Sequence, residues 1–77
     1  MKENEYVIYP EVGRKYRHYK GGLYEVITMA TQTETQEPLV IYRSILFGSI
    51  YARPLSMWFD RVINSNKEKV VRFKKEQ

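Results

Sequence analysis

His18 is the only histidine in a chain that has no cysteine. Any acid–base or metal chemistry near neutral pH would therefore start there. It sits in the run Tyr16-Arg17-His18-Tyr19-Lys20, so two cations flank it. Arg17 and Lys20 could grip an anion, and a carboxylate such as Glu25 or Glu34 could make His18 a general base. A metal site needs more ligands of this kind than one histidine supplies. The plainer role for His18 is a half-buried ring bonded to Glu25 or to backbone. For Arg17 and Lys20 it is a solvated charge guarding a sheet edge.

Other constellations are weaker still. Ser44, Ser49, Ser56 and Ser65 have no base but His18, and no Gly-x-Ser-x-Gly turn surrounds any of them. Gly21-Gly22 lacks the Lys-Ser/Thr that completes a phosphate loop. Nothing in the spacing of Glu25, Glu34 and Glu37 singles out a carboxylate pair. The sequence thus predicts no catalytic set, no metal centre and no cofactor site. The densest polar run, Thr31-Gln32-Thr33-Glu34-Thr35-Gln36-Glu37-Pro38, reads as a loop. Loops carry function more often than scaffold strands do, which makes Glu34 and Thr35 candidates. A solvated connection is the plainer reading of the same residues.

The elements that must position these groups are short strands. Tyr- and Val-rich runs flank Gly21-Gly22 and predict a β-hairpin, Arg14 to Tyr19 and Leu23 to Thr31. A turn on Gly21-Gly22 sets His18 opposite Glu25, whereas a turn on Lys20-Gly21 removes that pairing. In the second strand Val26, Thr28 and Ala30 share one face and Ile27 and Met29 the other. Apolar residues on both faces suggest a strand curling inside a small barrel. Leu39 to Phe47 is the strongest strand signal. Gly48-Ser49 suits a type II′ turn that would set Ser44 opposite Arg53 and Tyr42 opposite Leu55. Arg43, a charge in an apolar strand, needs a partner, with Glu25 or Glu34 the choices.

Pro54 to Asp60 reads as a short helical turn with Leu55, Trp58 and Phe59 on one face, plugging one end of the barrel. Trp58 in this setting is core. Asn64 to Lys67 is a turn, Lys69 to Phe73 a last strand, and residues 74–77 a fraying tail. Residues 1–12 form an arm or an edge strand that Pro10 stops. Residues 13–73 are then one domain: an all-β, SH3-like small barrel of about five strands with one helical turn. Its interior is filled, so a site must lie on the outer face or among the loops.

Composition bounds the partners. The chain has 77 residues and 14% aromatics, seven of them tyrosine, which lets a small domain build a ring-rich core. The formal charge of +4 leans towards anionic partners. No apolar run approaches a membrane span, and Met1 to Glu5 lacks the apolar core of a signal peptide. The expectation is a cytoplasmic, prokaryotic protein with no membrane partner.

Gly13 onward carries longer motifs: Tyr16-Arg17-His18-Tyr19-Lys20-Gly21, Tyr24-Glu25-Val26, Thr33-Glu34-Thr35, Val40-Ile41-Tyr42-Arg43 and Arg53-Pro54-Leu55-Ser56-Met57-Trp58-Phe59. Through about Phe73 the chain resembles a group of small bacterial domains of unknown function. Their pattern runs Gly-x-Tyr-Arg-His-Tyr-Lys-Gly, Tyr-Glu-Val, Ser-Glu-Thr, Val-Val-Tyr-Arg and Trp-x-Arg-Pro-Leu-x-Met-Phe. The resemblance implies a recurring polar set of Arg17, His18, Tyr19, Glu34, Thr35, Tyr42, Arg43 and Arg53. It departs from the pattern at Thr31-Gln32-Thr33, where the family carries Arg-His-Ser, and at Tyr51, where it carries Trp.

Three functions follow as expectations. One is a non-enzymatic module for an anionic ligand, nucleic acid or nucleotide. Arg17, Lys20, Arg43 and Arg53 would contact phosphate, and Tyr19, Tyr24, Tyr51 or Trp58 would stack on a base. Another is a protein-interaction module using a tyrosine-rich surface or an open sheet edge, including an edge-strand homodimer in place of a monomer. The last is a small hydrolase built on His18 with Glu25 or Glu34.

Overall fold

The computed structural model describes residues 8–77. Seven strands follow one another: β1 (Lys15–His18), β2 (Leu23–Thr31), β3 (Pro38–Ser44), β4 (Ile50–Pro54), β5 (Arg61–Ile63), β6 (Lys69–Val71) and β7 (Phe73–Lys75). A 3-10 turn, Leu55–Met57, follows β4. Five strands form one antiparallel sheet in the order β4-β3-β2-β1-β7, and β5 pairs with β6 as a separate ribbon. The all-β expectation holds, but the sheet does not close into a barrel. Its edges, β4 and β7, approach through side chains: the Arg53 guanidinium lies 5.5 Å from the Phe73 ring centre. Side chains held between the edges keep the backbones beyond the roughly 4.8 Å that a ladder needs.

The concave face carries the core. Tyr16, Val26, Val40, Tyr42, Trp58 and Phe73 are buried, with Tyr24, Met29, Leu55 and Phe59 packed against them. Trp58 and Phe73 stack at 3.8 Å between ring centres, and Tyr42 meets both edge-on at 5.0 and 5.6 Å. Such ring pairs add about 0.5–1.5 kcal/mol each beyond the area they bury. The Trp58 indole N–H finds no acceptor among the described residues. Leaving it unpaired costs about 1–3 kcal/mol, which the ring contacts offset. Trp58, Leu55 and Phe59 act as the plug their spacing predicts, laid over the open face of the sheet.

A bulge explains the two-faced pattern of β2. Val26 pairs with Tyr42, and Thr28 pairs with Ile41, so Ile27 is the extra residue. The bulge reverses the alternation. Val26 and Met29 therefore both face inward, opposite Tyr42 and Val40. The apolar residues on both faces record this switch, not a barrel interior.

Both turn registers differ from expectation. Arg17 pairs with Leu23 and Lys15 with Glu25, so the first hairpin has the three-residue loop Tyr19-Lys20-Gly21. Gly21 alone takes a positive φ of 110° there. Gly22 is needed for a different reason: a Cβ on it would sit 2.8 Å from the Tyr24 ring. The second hairpin pairs Tyr42 with Tyr51 and Val40 with Arg53. Its strand stops at Ser44, and Ile45 to Gly48 form the loop, closed by Gly48 N–H donating to Ser44 O at 2.8 Å.

The last strand of the sequence reading is split at Arg72 into β6 and β7, and β5 had no signal strong enough to be read. Lys74 and Lys75 belong to β7, which pairs with β1 and corrects the expected fraying tail. Ile8 to Glu11 form no strand. The Tyr6-Val7 part of the proposed arm lies outside the described residues.

Candidate functional site: a basic cleft between the first hairpin and the β5–β6 ribbon

A cleft of about 540 Å³ opens between the β1–β2 turn, the β5–β6 ribbon and β7. Arg17, His18, Tyr19 and Gly21 form one wall, Arg61, Asn64, Val70 and Val71 the other, and Lys74 closes one side. The ribbon is fixed by Arg72. Its guanidinium donates twice to the Asp60 carboxylate, at 2.8 and 2.9 Å. Its backbone N–H donates to Asp60 O at 2.8 Å, and its carbonyl accepts from Tyr19 N–H at 2.9 Å. The Arg72 hydrogen bonds hold the Asp60 carboxyl below its ordinary value. The ribbon's own turn is made by Asn64, whose Oδ1 accepts from the Asn66 and Glu68 N–H groups, both at 2.9 Å.

Three cations from three strands meet here: Arg17, Arg61 and Lys74. Arg17 and Lys74 are direct cross-strand partners, a like-charge pairing that destabilises unless an anion offsets it. Glu76 supplies one: Arg17 donates to its two oxygens at 3.3 and 2.9 Å. The pair is exposed; the bonds lower the Glu76 carboxyl and raise Arg17. Among the described residues neither Arg61 nor Lys74 has a carboxylate partner. Lys20 stands at the hairpin tip, 5.8 Å from the Tyr19 ring centre.

His18 packs against Phe73 at 4.8 Å and Tyr19 at 4.7 Å between ring centres. Its Nδ1 accepts from the Lys20 N–H at 3.1 Å, so in the neutral ring Nε2 carries the proton. Burial, then the charges of Arg53, Arg72 and Lys20, push its pKa down. The ring is thus bonded to backbone, half-buried and neutral at pH 7. It does not meet Glu25, which lies on the opposite face and bonds Arg43 across β2 and β3. The Glu25 partner expected for Arg43 is therefore the one found.

The predicted residues divide among four places. Arg17, His18 and Tyr19 line the cleft, with Lys20 beside it. Tyr42 is a core ring, and its hydroxyl accepts from Arg53 Nε at 3.2 Å. Tyr51 stands near it on the concave face, 5.5 Å between centres. Arg43 is on the outer face. Glu34 and Thr35 lie beyond the far end of β2, whose nine residues span about 26 Å. Their polar groups serve the loop itself: Thr35 Oγ1 accepts from Glu37 N–H at 3.2 Å, and Gln32 Oε1 accepts from Glu34 N–H at 2.8 Å. A His18–carboxylate catalytic pair has no geometric basis with either Glu25 or Glu34. Among the described residues no three potential metal ligands cluster, and no helix is long and apolar enough to cross a membrane.

Arg61, Asn64, Val70, Val71 and Lys74 were missed. A three-residue strand is too short to show a period, and the like-charge pairing of Arg17 and Lys74 exists only once β7 pairs with β1.

The same architecture recurs elsewhere. A crystal structure of a DUF1653 protein from Bordetella bronchiseptica superposes with a TM-score of 0.70 at 29% identity, covering 80% of this chain and 82% of that one. No curated protein matches. The sequence model of one family, described as a protein of unknown function (DUF1653), matches residues 14–75, a span that contains both hairpins, the ribbon and every wall of the cleft. The chain therefore belongs to the DUF1653 family.

Proposed function

We propose that this domain is a binding module, not an enzyme, for a phosphate-bearing ligand: a nucleotide or a single strand of nucleic acid held in the basic cleft. The observation that carries this reading is the convergence of Arg17, Arg61 and Lys74, from β1, β5 and β7, on one opening. Holding three like charges together is unfavourable, and a bound polyanion turns that cost into affinity. Tyr19 and the Val70–Val71 wall offer apolar surface for a base, and the neutral His18 keeps a donor at Nε2.

Fluorescence anisotropy of labelled single-stranded DNA and RNA, with unlabelled nucleotide as competitor, tests it. The expected result is binding that weakens steeply between about 50 and 200 mM salt. Arg17→Ala, Arg61→Ala and Lys74→Ala should each weaken it about fivefold or more. Arg43→Ala, on the outer face, should leave it unchanged. Absence of binding by either strand or by nucleotide at the lower salt overturns the reading.

A further inference from the structure

The sheet has a second unsatisfied feature, at the edge opposite β7. Strand β4 is the terminal strand opposite β7. Ser44 N–H donates to Ser49 O at 2.9 Å, which makes that pair a hydrogen-bonded one. Antiparallel pairs alternate, so Tyr51 and Arg53 turn their backbones to β3. Ile50, Ala52 and Pro54 turn theirs to the open side. Apolar side chains stand exposed on this strand, Ile50 at 63% and Tyr51 at 44%, and on the loop that leads into it, Leu46 at 81% and Phe47 at 77%. The strand carries one charge, Arg53, and no lysine. An edge of this kind invites another strand.

We propose that β4 is a self-association edge, and that its partner is β4 of a second copy of this chain, antiparallel and centred on Ala52. The register argues for a second copy over an unrelated peptide. Ala52 meets Ala52 of the second copy as a hydrogen-bonded pair and exchanges both bonds. The next such pair sets Ile50 opposite Pro54 of the second copy. Pro54 has no N–H, but its carbonyl accepts from the Ile50 N–H, so the missing donor leaves only the Ile50 carbonyl at the rim unmatched. Between them Tyr51 faces Arg53 of the second copy, and no like charges oppose. The same register carries the Leu46-Phe47 loop past the end of the second copy's β4, towards the 3-10 turn with its exposed Met57.

The four side chains expose on the order of 500 Å² per copy, taking about 150–250 Å² for a whole aromatic residue. Two copies supply about 1,000 Å², near the lower bound of roughly 1,200 Å² for specific interfaces, which predicts a weak, concentration-dependent dimer. No residue of β4 is among those that line the basic cleft.

Sedimentation equilibrium over about 1–500 µM reads this directly. The expected result is a mass rising from one copy to two and no further. Ala52→Pro removes an outward N–H that β3 does not use, and Ile50→Lys places a charge on the edge. Each should raise the dimer Kd at least about tenfold, while circular dichroism and Trp58 fluorescence stay those of the folded domain. If Ala52→Pro alters the fold, Ile50→Lys decides. A wild-type protein monomeric throughout the range, a dimer that survives the edge substitution, or assembly that continues past two copies overturns the proposal.

Discussion

The two edges of the sheet are guarded in opposite ways. Strand β7 has three residues, and two of them, Lys74 and Lys75, are lysines. It is tied down at both ends: Phe73 stacks on Trp58, and Lys75 reaches Glu11 at 3.2 Å. Strand β4 has five residues, no lysine, and backbone groups that only Pro54 protects at one end. Charge deters strand addition at β7 and also makes that edge a wall of an anion-sized cleft. At β4 the protection is missing, and with it the repulsion that would keep another chain away. A small domain with one core cannot make both edges do both jobs. The positive charge gathered at one end of the sheet leaves the other end apolar.

The largest effect should come from testing what anchors each edge. Phe73→Ala removes a ring that is 1% exposed and stacked on Trp58. The expected loss is about 3–5 kcal/mol, a large share of the stability of a domain this size. Thermal unfolding followed by circular dichroism should find a variant that is barely folded at 25 °C. Ile50→Ala at β4 should cost less than about 1 kcal/mol, since the side chain is already solvated. Equal losses would mean that the core supports β4 as firmly as β7, and the comparison would fail.

The Asp60–Arg72 pair comes next, because it fixes the ribbon against the β7 edge. Its side chains are 30% and 19% exposed, and the two bonds are charge-assisted. Asp60→Asn should cost about 1–3 kcal/mol. The pH dependence follows from the lowered Asp60 pKa. The folded state holds the carboxylate charged where the unfolded chain would protonate it. This contribution is full above the unfolded value near 3.9 and is lost as pH falls through the lower, folded value. Urea unfolding at pH 7 and pH 3 should show the wild-type protein losing that increment and the Asn variant lacking it at both.

How much of this was legible depends on the length of each element. Leu23 to Thr31 was read to the residue, because nine strand-forming residues lie between a glycine pair and a polar loop. Trp58 was read as core from the 0, 3, 4 spacing it shares with Leu55 and Phe59. The registers were not legible. Gly21-Gly22 looks like a two-residue turn, yet Gly22 is there to clear the Tyr24 ring, a contact that only the fold creates. In the second hairpin Ile45, Leu46 and Phe47 read as strand because they are apolar. Leu46 and Phe47 instead stand exposed in the loop that leads into β4. The cleft was half legible: Arg17, His18 and Tyr19 are contiguous, whereas Arg61 and Lys74 join them only through pairing of distant segments.

A smaller effect concerns Glu76, which occupies the Arg17 fork at the rim of the cleft. A phosphate reaching Arg17 must displace it. Glu76→Gln should therefore tighten binding of a labelled oligonucleotide by about twofold to fivefold, the scale of an exposed ion pair. Thermal unfolding should barely change. Weaker binding in this variant would mean that Glu76 organises the cleft and does not compete for it.

The smallest and most informative change is in the titration of His18, because both edges act on it. Phe73 of β7 packs on its ring, while the charges of Arg53 on β4 and of Arg72 beside the ribbon depress its pKa, after burial. The unfolded chain takes up a proton near pH 6.5, and the folded one resists until a lower pH. The unfolded state then binds more protons in that interval, so stability rises with pH there and falls on acidification below about 6.5. Protonation would also convert Nδ1 into a donor facing the Lys20 N–H, breaking the bond that shapes the hairpin tip. A single histidine gives a single imidazole resonance, which makes the titration unambiguous by NMR. Its midpoint should lie below 6.5 in the free protein and move up when a phosphate-bearing ligand fills the cleft, since the anion favours the charged ring. Arg53→Ala should raise the free midpoint without abolishing the ligand shift. A midpoint that ignores the ligand while anisotropy still reports binding would place the ligand away from Arg17, Arg61 and Lys74, and the basic edge would then be guarded by charge alone.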